Sequence, residues 1–177
     1  MAKRKKSKSI DLQQRTFDEA VDNLEKLAEV ARAVGDMTPL QGFDIRNLNL
    51  NESQFDSLEQ LRGMRLQRLA LYGTRVSDLE PLRGMPLEWL NVSSTRVTDL
   101  SPLRGMQLRE FYAIDTRIED ITPLCGMPIE YLYLSRSRVS DLSMLHGMSL
   151  RRLELAGTPT LTHIPTWLPE SCRVVTI

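Results

Sequence analysis

Two residues in this chain could pair for nucleophilic or metal chemistry. Cys125 and His146 occupy the same place in successive copies of a repeat. A thiol beside an imidazole is the minimum for a nucleophile with its base, or for two ligands of a zinc site. Neither a third ligand nor an oxyanion device accompanies them. Arg62, Arg83 and Arg104 fill the same place in other copies, so the position reads as a variable surface site. His163 stands where the repeat carries a core leucine and reads as a local irregularity. With no phosphate loop, Ser-His-Asp set or metal-ligand spacing, the expectation is a non-catalytic chain without cofactor or metal.

Charge and aromatic chemistry is more promising. Arg75, Arg96, Arg117 and Arg138 recur at one fixed interval, and Asp78, Asp99, Asp120 and Asp141 recur three residues later. Stacked about 5 Å apart in water, like charges repel by somewhat under ~1 kcal/mol, so something should offset the arginines. Two readings stand. The aspartates pair with them, or the arginines hold an external anion: phosphate, nucleic acid or an acidic protein. No lysine follows Lys26, so every later cation is arginine, the planar and bidentate one.

These residues are placed by a repeat. Leu66, Leu87, Leu108, Ile129 and Leu150 begin successive 21-residue copies, and Leu69, Leu90, Phe111, Leu132 and Leu153 follow three residues on. Leu71, Val92, Ala113, Leu134 and Leu155 hold the sixth place, and Thr74, Thr95, Thr116, Ser137 and Thr158 the ninth. Gly84-Met85, Gly105-Met106, Gly126-Met127 and Gly147-Met148 close the copies. A fixed period of this size marks a solenoid. The L-x-x-L-x-L core resembles a leucine-rich repeat, and the D-L-x-P-L half resembles the short bacterial internalin-like and phosphatase-regulator-like subtypes. Those families usually carry Asn at the ninth place, where this chain has Thr or Ser. The resemblance implies an α/β solenoid: a right-handed horseshoe with a concave parallel β-sheet.

The physics of one copy agrees. Leu69 and Leu71 alternate with Arg68, Ala70 and Tyr72, so the leucines face inward and the others outward. The ninth-place hydroxyl can bond backbone groups leaving the strand. Asp78 can cap a short helical turn, Pro81 fixes φ after it, and Gly84 permits the bend back. A coil this short leaves little room for a full helix, so the convex side should be extended or 3₁₀. The stacked methionines Met64 to Met148 should fill the core at one corner.

Function should reside where the fold dictates nothing. The third, fifth and seventh places project outward and collect Arg68, Tyr72, Trp89, Asn91, Tyr112, Ile114, Tyr131, Tyr133, Arg152 and Glu154. All four tyrosines fall here, and Tyr and Trp are enriched in binding hot spots. Strand preference alone also favours aromatics, although it does not explain why the outward side takes every tyrosine. The expectation is a protein or peptide partner on the concave face. The alternative is a ribonucleoprotein or acidic partner held by the Arg row and a basic tail.

Along the chain, residues 1–9 hold five cations and read as a disordered tail. Residues 10–35 carry an apolar stripe at three-four spacing, with a Thr16/Glu19 capping box and Gly35 as C-cap, and read as a helix covering the first coil. Residues 36–44 repeat the second half of the motif, 45–149 give five copies, and 150–177 a terminal copy with a closing strand. The edge of that strand could dock a partner or a second copy. Of 177 residues, 41% are apolar and 6% aromatic, and formal charge is zero, so no global field steers toward nucleic acid. No 18-residue apolar run or signal-peptide pattern occurs, and two cysteines do not make a disulfide framework. The expected location is cytoplasmic.

Overall fold

The computed structural model describes residues 29, 35–40, 42–158, 166–168 and 171–176. The basic tail, nearly all of the 10–35 helix, His163 and Ile177 lie outside the described residues.

Each coil contributes one three-residue strand to a single seven-stranded parallel sheet in sequential order. The strands are β1 (Asn47–Asn49), β2 (Arg68–Ala70), β3 (Trp89–Asn91), β4 (Glu110–Tyr112), β5 (Tyr131–Tyr133), β6 (Arg152–Glu154) and β7 (Arg173–Val175). Register is constant. Leu48 pairs with Leu69, Leu69 with Leu90, Leu90 with Phe111, Phe111 with Leu132, Leu132 with Leu153 and Leu153 with Val174. Each step is one full repeat, so the middle residue of every strand belongs to one ladder. From Leu48 to Leu153 that ladder is buried. β7 keeps the step although the sequence leading into it has lost the repeat's letters.

The return path of each coil is a 3₁₀ turn: Thr38–Leu40, Glu59–Leu61, Glu80–Leu82, Ser101–Leu103, Thr122–Leu124 and Ser143–Leu145. The first of these, before β1, is the half-motif at Asp36. Asp36, Asp78, Asp99, Asp120 and Asp141 each accept a backbone N–H two residues ahead at 2.8 Å. Ser57 does the same for Glu59 in the coil that lacks the aspartate. Such a bond satisfies a donor that the short turn leaves orphaned. The ninth-place hydroxyls act likewise on the other side of the coil. Thr74, Thr95 and Thr116 donate to the carbonyls of Leu71, Val92 and Ala113. Ser137 is the exception, a buried hydroxyl with no hydrogen-bond partner among the described residues.

The core is one continuous apolar cluster running through every coil from Met37 to Cys172. Met85, Met106, Met127 and Met148 are buried at the corner predicted for them, with Met64 partly buried against them. Trp167 and Leu168 close the C-terminal end by packing against this cluster.

The eighth place of each coil has positive φ. Gly73 and Gly157 take it, but so do Glu52, Ser94, Asp115 and Arg136, at φ between 54° and 57°. Backbone bonding holds them there. Glu52, Ser94, Asp115 and Arg136 donate their N–H to the seventh-place carbonyl of the next coil, respectively Tyr72, Ile114, Ser135 and Ala156. A left-handed residue costs roughly 1–2 kcal/mol without glycine, and these inter-coil bonds offset it.

Candidate functional site

Strict register decides which outward side chains meet. On the third place, Arg68 lies beside Trp89, Trp89 beside Glu110, Glu110 beside Tyr131, and Tyr131 beside Arg152. On the fifth, Asn91 lies beside Tyr112, Tyr112 beside Tyr133, and Tyr133 beside Glu154. Strands about 4.8 Å apart bring ring neighbours to stacking distance.

A single row results, and it crosses between the two columns. The Arg68 guanidinium lies over the Trp89 ring, 4.7 Å from its centroid. Trp89 and Tyr112 meet diagonally at 5.3 Å with planes tilted by 46°. Tyr112 and Tyr133 stack at 4.3 Å. The Arg152 guanidinium closes the row 5.7 Å from the Tyr133 centroid. Aromatic pairs of this kind contribute ~0.5–1.5 kcal/mol each beyond area burial, and exposed cation–π contacts ~0.5–1 kcal/mol. Within the row Tyr112 and Tyr133 lie face to face, and Arg68 and Arg152 lie against the rings of Trp89 and Tyr133 at its ends.

Two carboxylates fix its polar rim. Tyr112 donates its hydroxyl to Glu110 at 3.0 Å. Burial, reinforced by that bond, pushes the Tyr112 phenol well above the ordinary tyrosine range. Glu154 accepts from Nε of Arg152 at 2.8 Å, which holds the guanidinium over Tyr133.

The other expected residues sit differently. Tyr131 lies between Glu110 and Arg152 on the sheet, half-buried and outside the ring stack. Tyr72 is 42% exposed, in the turn after β2. Asn91 is half-buried, and its side-chain oxygen accepts the Ser93 N–H at 2.9 Å. Ile114 lies past β4 and donates its N–H to the Ser93 hydroxyl. The seventh place as a whole lies in the turn beyond the strand, not on the sheet, and Ser93 and Ser135 there are buried. This corrects the expectation of a third outward column. The strands are three residues long, so outward projection ends at the fifth place.

Sequence reasoning missed one ion network on the opposite rim of the sheet. Glu130 accepts from Arg109 at 3.2 Å and from Arg151 at 2.8 Å. The second place reads Glu88, Arg109, Glu130, Arg151 along the coils, and that alternation of sign was the available signal.

Arg75, Arg96, Arg117 and Arg138 are all exposed. Among the described residues no ion pair joins the Asp row to them; each of its carboxylates accepts a backbone amide of its own 3₁₀ turn. Of these four, only Arg138 has an ion pair among the described residues, to Glu119 at 3.6 Å. Cys125 is an exposed free thiol. His146 stands edge-on to Trp167 at 5.3 Å. Among the described residues no group of three or more His, Cys, Asp or Glu could hold a metal ion. No helix among them is long and apolar enough to cross a membrane.

No family model matches the chain, and no curated protein does. Among solved structures, the chain is similar to internalin C2 of Listeria monocytogenes. The two are 25% identical with a TM-score of 0.53, over 65% of this chain and 63% of that one. It is also similar to an internalin, InlF, of the same organism, at 16% identity and a TM-score of 0.55, over 80% of this chain and 56% of that one. The chain thus spans less than two thirds of the length of either neighbour. Neither neighbour bears on the phosphatase-regulator-like subtype. Repeat spacing, sheet register and these neighbours together give the chain an internalin-like leucine-rich repeat fold.

Proposed function

We propose that this chain is a non-catalytic binding module that holds a protein or peptide across the outward face of β2 to β6. The observation that carries the reading is the continuous row Arg68–Trp89–Tyr112–Tyr133–Arg152. A fold needs a buried ladder to hold its coils together, but it does not need a row of rings on the other side of the sheet. Rigid aromatics with few rotamers lose little entropy on binding, which is why they anchor interfaces. The ring faces are occupied within the row, so the partner meets ring edges, the Tyr131 ring and hydroxyl groups. That favours a polypeptide, with its backbone carbonyls and apolar side chains, over a ligand that must stack on a free ring face.

A displayed peptide library selected on the purified chain tests this. Peptides that bind the wild type should lose at least about tenfold in affinity to Trp89→Ala or Tyr133→Ala, as hot-spot truncations do. Selected peptides that bind both variants as tightly as the wild type would place the interface elsewhere.

A further inference from the structure

The four exposed arginines beyond the C-terminal ends of the strands remain unexplained by the fold. Arg75, Arg96 and Arg117 have no ion pair among the described residues, and Arg138 has one, to Glu119. The aspartates three residues on form no ion pair with these arginines among the described residues. Asp78, Asp99, Asp120 and Asp141 each accept a backbone amide in their own coil at 2.8 Å. Asp99 and Asp120 also accept a hydroxyl from Ser101 and Thr122. Asp115 on the same flank faces Arg136 at 4.0 Å. The row itself is held in register by the backbone. Arg75, Arg96 and Arg138 donate their N–H to Phe55, Val76 and Ile118 of the preceding coil. Four guanidiniums thus project from one flank at one step per coil, and nothing within the fold requires arginine there.

We infer that the Arg75–Arg96–Arg117–Arg138 row docks an acidic α-helix that presents one carboxylate per turn. The argument is one of period. Coils of a parallel sheet repeat every ~4.8 Å, and a helix turns every ~5.4 Å. The mismatch is about 0.6 Å per step, or about 1.8 Å across the row, which flexible arginine stems absorb. An extended acidic peptide presents same-face residues every ~6.6 Å and falls out of step by more than about 5 Å over the same distance. A duplex strand carries one phosphate per ~3.4 Å of helix axis and winds around that axis, so its phosphates form no straight row in step with the arginines. A guanidinium fork also fits a carboxylate in bidentate fashion. This surface is separate from the aromatic row and does not depend on it.

The test uses the full chain and three probes in fluorescence anisotropy. One is a stapled alanine-rich helix with glutamates on one face, a turn apart. The second has the same composition with glutamates dispersed around the helix, and the third is a single-stranded oligonucleotide. The one-faced helix should bind saturably, weaken as salt rises, and outbind the dispersed isomer by about tenfold. Arg96→Gln with Arg117→Gln should reduce that binding by a similar factor without lowering the melting temperature, because it removes like charges from a row. Tyr133→Ala should leave it unchanged. Equal binding of the two helices, tighter binding of the oligonucleotide, no saturable binding of any probe, or indifference to the double substitution would each overturn the inference.

Discussion

Tyr112 and Tyr133 stack with centroids 4.3 Å apart and planes 7° from parallel, because they are direct register partners on neighbouring parallel strands. The spacing of the sheet is slightly larger than that of two stacked rings, so a small inward lean brings them together. Trp89 joins from the other column, and Arg68 and Arg152 terminate the row.

Removing one ring should therefore cost stability as well as binding. Tyr133→Ala loses a stacked partner and a cation contact together, an expected loss of ~1–2 kcal/mol. At ~2–4 °C per kcal/mol, calorimetry should show a drop of several degrees. Tyr133→Phe keeps both contacts and should melt close to wild type. Tyr131→Ala, outside the stack, should cost less than Tyr133→Ala. The reverse order would contradict the geometry.

Acid should unfold the chain partly through its turns. The Ser101 backbone amide first, then the Ser101 hydroxyl, holds the Asp99 carboxyl below its usual range. Asp141 is held down in the same way by Ser143. A carboxyl whose pKa is lower folded than unfolded contributes stability that is fully present above the unfolded value, ~3.9. That contribution is lost as pH falls through the folded value. Urea melts between about pH 5 and pH 2 should show the wild type losing stability, and the double variant Asp99→Ala with Asp141→Ala losing less across that window. Identical slopes would mean that the turns do not sense the proton.

The left-handed eighth place predicts opposite signs for two simple changes. Ser94 has φ of 54°, so Ser94→Gly should relieve strain and stabilise by up to ~1 kcal/mol net of glycine's entropy. Gly157 has φ of 64°, and a Cβ there would stand 3.1 Å from Cγ of Arg136. Gly157→Ala should destabilise by ~1–2 kcal/mol. Chemical denaturation of the two variants beside the wild type measures both.

Ser137 should be dispensable where its counterparts are not. Its buried hydroxyl has no hydrogen-bond partner among the described residues, so Ser137→Ala should be neutral or stabilising. Thr95→Val leaves the Val92 carbonyl without the hydroxyl donor it has now and should cost ~1 kcal/mol. Equal costs for the two would mean that the ninth-place hydroxyl acts through packing alone.

Much of this was legible in the letters. The leucine ladder, the 3₁₀ return path, the methionine corner and the aspartates that bond the turn amides follow from a period that repeats similar chemical constraints from coil to coil. The outward residues follow no such constraint, so their types were visible but their meetings were not. That Trp89 reaches Tyr112 rather than its register partner Glu110 depends on rotamers, which spacing does not encode. The left-handed eighth place was hidden because four of its six occupants are not glycine. There the inter-coil bonds fix the backbone, and they belong to pairs of coils rather than to any one stretch. Whether the Asp row answers the Arg row was equally open in the sequence, since both spacings permit it. In the structure those aspartates bond the backbone amides of their own turns.

The constant step of the sheet makes the outward face divisible. Every strand meets its neighbour at the same register, so residues 87–107 could be excised whole and the ladder would close again, with Leu69 against Phe111. The new neighbour of Arg68 would then be Glu110, an ion pair where an aromatic row had stood. A shift of a few residues would instead misalign every ladder at once. The chain is thus tolerant of gain or loss by the coil and intolerant of it by the residue, so recombination between coils can rewrite its surface without touching its core.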